Sequence, residues 1–143
     1  MSKYNNKKVN LDDYVFDSQA EANYYEDLKI RSAGGEIQGF ERQPVFKLQS
    51  AFKKHNKSFQ AITYIADFLV YLQNGEIEVI DIKGVITETF NVKRKLFEYK
   101  YPHLQLILLK HVKKYGGFIP LDEYNKLQRA EKKAKKQNKG SGS

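Results

Sequence analysis

Asp67, Asp81 and Lys83 stand in two apolar, strand-like runs, residues 62–72 and 77–84, where charged side chains are out of place. Burying an unpaired charge is costly. Two carboxylates and an ammonium in such runs point to a site that binds a metal ion and a phosphate. Asp81 and Lys83 are two apart on one strand, so both point to one face. The face Asp67 takes depends on the turn at Asn74-Gly75. A two-residue loop pairs Gln73 with Glu76 and sets Asp67 opposite Ile82, on the wrong face. A three-residue loop over 73–75, a type I turn with a bulge at Gly75, pairs Leu72 with Glu76 and sets Asp67 opposite Asp81. The metal-site reading requires the bulged turn.

Two carboxylates at that separation repel, and one holds a proton unless a cation sits between them. Mg²⁺ (or Mn²⁺) suits the position, because it takes oxygen ligands, keeps several waters and binds phosphate oxygens. The expected ligands are Asp67, Asp81, the Ile82 carbonyl and, directly or through water, Glu21. The expected catalytic set is Glu21, Asp67, Asp81 and Lys83, with Lys83 acting on the attacking water or on the phosphorane charge. Each has a plainer reading. Glu21 lies three residues after Ser18, the spacing of a capping box. Lys83 could be a salt-bridge partner in an inactive scaffold.

The elements that would position these residues follow from periodicity. A helix opens at Ser18, carries an apolar stripe of Ala20, Tyr24, Tyr25 and Leu28, and stops at Gly34-Gly35. Gln43 to Leu48 reads as a short strand entered through Pro44, and residues 51–58 as a polar, lysine-rich loop. Long strands follow over 59–72 and 76–83. A helix over 88–100, with Val92, Leu96 and Tyr99 on one face, ends before Pro102. A buried strand over 104–109 then implies a right-handed parallel crossover. Gly116-Gly117 breaks the chain, and a last helix opens at Pro120 and Asp122. The first ten residues read as loose.

The length, 143 residues, suits one domain with a real core. The expected division is a domain over 1–125, a basic helix or tail over 126–139, and a linker or cloning remnant over 140–143. The chain has no cysteine, which excludes disulfides and thiolate chemistry, and no apolar run long enough to span a bilayer. A cytoplasmic location is expected, in the bacterial host if a phage encodes the chain. The net charge is +8, of which +6 falls from Lys126 onward. Lys132, Lys133, Lys135 and Lys136 in that stretch are candidate DNA contacts through counterion release. A solubilising helix end accounts for them about as well. Gln43, Lys93, Lys95 and Lys100 are further candidate DNA contacts, against the alternative of a strand-edge polar residue and a solvated helix face. His55, His103 and His111 read as surface residues.

Taken together, Glu21 on the first helix, Asp67 on one strand and Asp81-Ile82-Lys83 on the next resemble the PD-(D/E)xK nuclease superfamily. Nearly the whole chain is similar to a phage and prophage family of small PD-(D/E)xK-like proteins of unknown function. Residues 16–21, Gln43-Pro44, residues 61–68, residues 81–84 and residues 93–102 carry that likeness. The resemblance implies a restriction-endonuclease-like fold, an α/β (α+β) mixed sheet with an αβββαβ core, and here a C-terminal basic helix. It implies a metal-dependent DNA endonuclease similar to Holliday junction resolvases and transposon-end-cutting subunits. Ala66 stands where the superfamily has its nominal proline, and the glutamine-tyrosine signature of RecB-like members is absent. Junction resolution would need a homodimer to cut two strands symmetrically. The competing hypothesis is a non-catalytic DNA- or protein-binding module on the same fold.

Overall fold

The computed structural model describes residues 7–141, with side chains through Gln137. The expected loose leader over 1–6 and the final residues 142–143 lie outside the described residues. Element order is β1 (Val9–Leu11), β2 (Tyr14–Phe16), α1 (Gln19–Ala33), β3 (Ile37–Arg42), β4 (Val45–Gln49), β5 (Phe52–Lys54), β6 (Lys57–Phe59), β7 (Ile62–Ile65), β8 (Phe68–Leu72), β9 (Ile77–Ile82), α2 (Glu88–Lys100), β10 (Gln105–Val112), β11 (Gly117–Pro120) and α3 (Leu121–Ser141). The expected mixed sheet with helices against it is present. It has five strands in the order β11-β10-β9-β8-β3, with β9 and β10 parallel and the other neighbours antiparallel.

The sheet buries both faces. Tyr24, Tyr25 and Leu28 of α1 pack over Phe68, Val70 and Ile80 on one side. On the other, Phe90 and Phe97 of α2 pack with Val79, Leu108 and the buried residues of β4 and β7. Alternation along a strand distributes β9 between the two layers: Ile80 faces α1, whereas Val79 and Asp81 face α2. The β9–α2–β10 crossover supplies the parallel pair, as expected.

Several expectations need correction. The short strand expected over 43–48 is present as β4, but it lies outside the main sheet, whose first strand is the unforeseen Ile37–Arg42; Gln43 takes φ +51 ahead of Pro44 and turns the chain from one to the other. Gly39 beside a register shift hides the period-two pattern that would have marked β3. The expected strand over 59–72 breaks at Ala66-Asp67. Its first part, β7, pairs with β4, and only β8 joins the main sheet. The expected loop over 51–58 is a two-stranded hairpin, β5 with β6. Residues 9–11 pair with 14–16 instead of lying loose. The strand expected over 104–109 extends to Val112, and β11 pairs back onto it. Helix α2 has the expected bounds but not the expected face: Phe90 and Phe97 are buried, while Val92 and Tyr99 are exposed. In α1, Ala22 is buried and Ala20 only half-buried. Helix α3 runs on through Gly140 to Ser141, so the expected remnant over 140–143 begins inside the helix. Among the described residues no helix is long and apolar enough to cross a membrane.

Candidate active site

The turn between β8 and β9 has the bulged form. The Gly75 amide donates to the Leu72 carbonyl at 3.1 Å and the Leu72 amide to the Glu76 carbonyl at 2.9 Å, with Gly75 at φ +90. That φ favours glycine. The ladder runs Tyr71 opposite Ile77 through Phe68 opposite Ile80, the register of the bulged turn, and ends one residue before Asp67, whose carboxyl lies within hydrogen-bonding reach of Asp81. The geometric condition set by the sequence is therefore met.

Asp67 sits at the break between β7 and β8. Backbone bonds hold the break: the Gln43 amide donates to the Asp67 carbonyl at 2.9 Å, and the Asp67 amide to the Ile80 carbonyl at 3.1 Å. The Asp67 carboxylate accepts from the Ile82 amide at 2.7 Å. The contact observed for Ile82 is thus through its amide, where the sequence had offered its carbonyl. Asp81 is the sole buried charged residue described, at 3 % exposure. Its Oδ2 accepts from the Tyr64 hydroxyl and lies 3.3 Å from the Lys83 ammonium. That ammonium also sits 4.0 Å above the centre of the Phe90 ring, a cation–π contact that fixes it beside Asp81.

The charges are out of balance. Asp67 is pushed up to about 9, first by burial and then by the charges of Asp81 and Glu21, with a hydrogen bond to Asp81 acting in the same direction. Glu21 is raised too, chiefly by burial and by Asp17. The Asp17 amide and a hydrogen bond with Asp67 partly offset the rise. Burial and the adjacent Asp81 raise the Tyr64 hydroxyl, so it stays a donor. Glu21 is half of a capping box: its amide donates to Ser18 Oγ at 3.2 Å. Its carboxyl lies near both the Asp17 amide, next to the cap, and the Asp67 side chain. Among the described residues, no three His, Cys, Asp or Glu side chains form a ready-made metal cage. What exists is a buried carboxyl pair in which Asp67 is raised far enough to hold its proton, with Glu21 beside it. A divalent cation that keeps its waters needs only one or two carboxylates, so the pair fits Mg²⁺ or Mn²⁺.

A cleft of about 290 Å³ is lined by Thr63, Tyr64, Lys83, Thr87, Phe90 and Lys93, and it meets the carboxyl pair through Tyr64 and Lys83, the partners of Asp81. Lys93 therefore belongs to the site's rim. Lys95 lies away from it, beside Asn91, Arg94 and Glu98, and Lys100 sits at the far end of α2 near Tyr101. Gln43 is exposed, but its backbone braces Asp67. Lys132, Lys133, Lys135 and Lys136 are exposed along α3. Glu131 ties α3 to the body through Lys114 at 2.7 Å and the Tyr115 hydroxyl at 2.8 Å. The three histidines are exposed, as expected.

Tyr64 was not foreseen. In an unbroken strand its odd spacing from Asp67 would put the two on opposite faces. The break at Ala66-Asp67 removes that constraint, and only the break brings both to Asp81. Arg42 was also missed: its guanidinium stacks 4.2 Å over Tyr14 and 4.6 Å over Phe16, and its buried Nε has no partner.

No curated protein matches the chain. The family described as "Protein of unknown function (DUF1064)" matches residues 1–117, a span that contains Glu21, Asp67, Asp81 and Lys83 and stops short of α3. The chain belongs to the DUF1064 family.

Proposed function

We propose that this protein is a metal-dependent endodeoxyribonuclease of the PD-(D/E)xK type. One observation carries the reading: Asp67 and Asp81 meet across adjacent strands with the Lys83 ammonium 3.3 Å from Asp81. A scaffold gains nothing from a buried carboxyl pair that must retain a proton to coexist. Asp67 and Asp81 would hold Mg²⁺ or Mn²⁺, with Glu21 reaching it through water and the Ile82 carbonyl as a further donor. The bound ion would lower the pKa of a water and offset phosphate charge.

The chain's own groups do the rest. The Ile82 amide and the Tyr64 hydroxyl fix one oxygen each of Asp67 and Asp81. The hydrogen bonds that Asp67 makes with Asp81 and Glu21 would have to give way to the ion. Lys83, held by Asp81 and the Phe90 ring, can pass from Asp81 to a phosphate oxygen and stabilise charge as it develops there. Lys93, across the same cleft, is placed to take a neighbouring phosphate. The finer proposal is a phage or prophage enzyme acting on branched DNA, with two copies needed to cut a junction symmetrically.

One observation favours a second reading. Asp81 already has two partners, Tyr64 and Lys83, and a non-catalytic DNA- or protein-binding module could keep them as a structural triad. A cleavage panel separates the two. Linear duplex, single strand, flap and four-way junction DNA are incubated with Mg²⁺ or Mn²⁺, and thermal unfolding is followed with and without each ion. A nuclease cuts at least one substrate and gains stability from the ion. No cutting, and a midpoint indifferent to either ion, would establish the binding module.

A further inference from the structure

The β5–β6 hairpin is not an isolated loop. Strands β4 and β7 pair from Val45 opposite Ile65 to Gln49 opposite Ile62, and β5 and β6 continue from Phe52 opposite Phe59 to Lys54 opposite Lys57. The register after the bulge at Lys47/Gln49 carries through both pairs, so the four strands make one long ribbon. Its base is anchored by Phe46, Leu48 and Tyr64 in the core under α2. Beyond Leu48 every residue from Gln49 to Ala61 is exposed. The tip is a two-residue turn with His55 at φ +49 and Asn56 at φ +63, the mirror-image turn that matches ribbon twist. The free arm projects roughly 20 Å.

The arm carries Lys53, Lys54, Lys57 and His55, and no acid occurs between Glu41 and Asp67. Lys54 and Lys57 stand directly opposite each other. Like charges so paired destabilise a ribbon, and an anion between them would relieve that. On the same face Phe52 and Phe59 stack at 4.8 Å, 44 % and 37 % exposed. The Lys57 ammonium lies 5.3 Å over the Phe59 ring, and among the described residues no salt bridge engages Lys53, Lys54 or Lys57.

We infer that this arm is a DNA-docking element, seated in a groove of the duplex with Lys53, Lys54 and Lys57 on phosphates and the phenylalanine pair against the groove wall. A two-stranded ribbon has the width of the major groove. Lys57 lies at most roughly 33 Å along the chain from Asp67, about one turn of B-form DNA. The arm can therefore grip duplex within one turn of the site. The choice of DNA rests on the nuclease reading, but docking does not require cleavage.

The test is binding of the full chain to a fluorescent duplex of roughly three helical turns, in EDTA, over about 50 to 200 mM salt. Wild type is compared with Lys53→Ala/Lys54→Ala/Lys57→Ala, whose unchanged thermal midpoint certifies the fold. The slope of log K against log salt should fall by about 2.7, which leaves the variant roughly 40-fold less salt-sensitive over that range. Phe52→Ser/Phe59→Ser should weaken binding without altering the slope. Equal slope and affinity in wild type and the lysine variant overturn the proposal, as does a wild type that binds no duplex. So does arm-dependent binding of phosphatidylserine–phosphatidylcholine vesicles with DNA affinity unchanged. Cleavage in Mg²⁺ is scored separately. Arm-dependent binding without cleavage keeps this inference and removes the nuclease reading, whereas cleavage with an indifferent arm does the reverse.

Discussion

At the scale of single residues, the site is defined by an excess of negative charge that the fold tolerates only by keeping a proton. Asp67 is pushed up to about 9 by burial, Asp81 and Glu21, while in the unfolded chain it ionises near about 4. Between those limits the native state binds more protons than the unfolded one, so stability falls as pH rises. The Asp67 contribution is present in full below about pH 4 and is lost as pH rises toward about 9. Metal-free wild type should therefore show a thermal midpoint that declines between about pH 5 and pH 8, and Asp67→Asn should remove most of that decline. An identical decline in the variant would place the linkage elsewhere. Glu21 shows what single-residue spacing could and could not say. Its place three residues after Ser18 gave the cap, and its i, i+4, i+7 spacing with the buried Tyr25 and Leu28 sets it on the face that packs against the sheet. That the carboxyl also comes within reach of Asp67 follows from tertiary approach, which no local spacing encodes.

At the scale of elements, the bulged turn is the part of the site most legible in the sequence. The Asp67–Asp81 pair demanded one of two loop lengths, and Asn74-Gly75 permits both. Deleting Gln73 leaves Asn74-Gly75 as a two-residue loop that still joins Leu72 to Glu76, so the register that sets Asp67 against Asp81 should be kept. Cleavage and metal-dependent stabilisation should both survive, with far-ultraviolet circular dichroism close to wild type. Loss of metal-dependent stabilisation in the folded variant would show that the bulge at Gly75, and not the register alone, pairs the carboxylates. Helix α2 was legible in its ends, where Thr87 caps the Phe90 amide and Pro102 follows Tyr101, but not in its face. Val92, Leu96 and Tyr99 form a stripe as good on paper as Phe90 and Phe97. The aromatic cluster of Phe46, Tyr64 and Tyr101 around Phe97 decides between them. Phe97→Ala should cost about 3–5 kcal/mol in denaturant unfolding, whereas Tyr99→Ala should stay within about 0.5 kcal/mol. Comparable losses would contradict the packing described. Strands β3 and β11 were hidden for a related reason. Each is short and glycine-bearing, and each is held by a neighbour distant in sequence, Ile37–Arg42 by β8 and Gly117–Pro120 by β10.

At the scale of the whole molecule, a nearly neutral body carries a basic helix at one end and a basic ribbon at its side. Helix α3 begins beside the core, with Leu121 packed against the α2 layer, and its exposed lysines run outward from there. Removing residues from Lys126 onward deletes six net positive charges. It should lower the salt slope of duplex binding by up to about 5 while leaving the fold intact. Equal slopes with and without the segment would show that it does not meet DNA. The central claim concerns the buried pair itself. The most direct measurement is the rate of Mg²⁺- or Mn²⁺-dependent DNA cleavage by purified Asp81→Asn beside wild type on the same substrate. Asp81 accepts from the Tyr64 hydroxyl and pairs with Lys83 while Asp67 keeps its proton, so the variant should lose some stability yet remain folded, which thermal unfolding checks. The substitution also removes a ligand charge, so cleavage should fall to background while DNA is still bound. A folded Asp81→Asn protein that cuts DNA as fast as wild type would contradict the account.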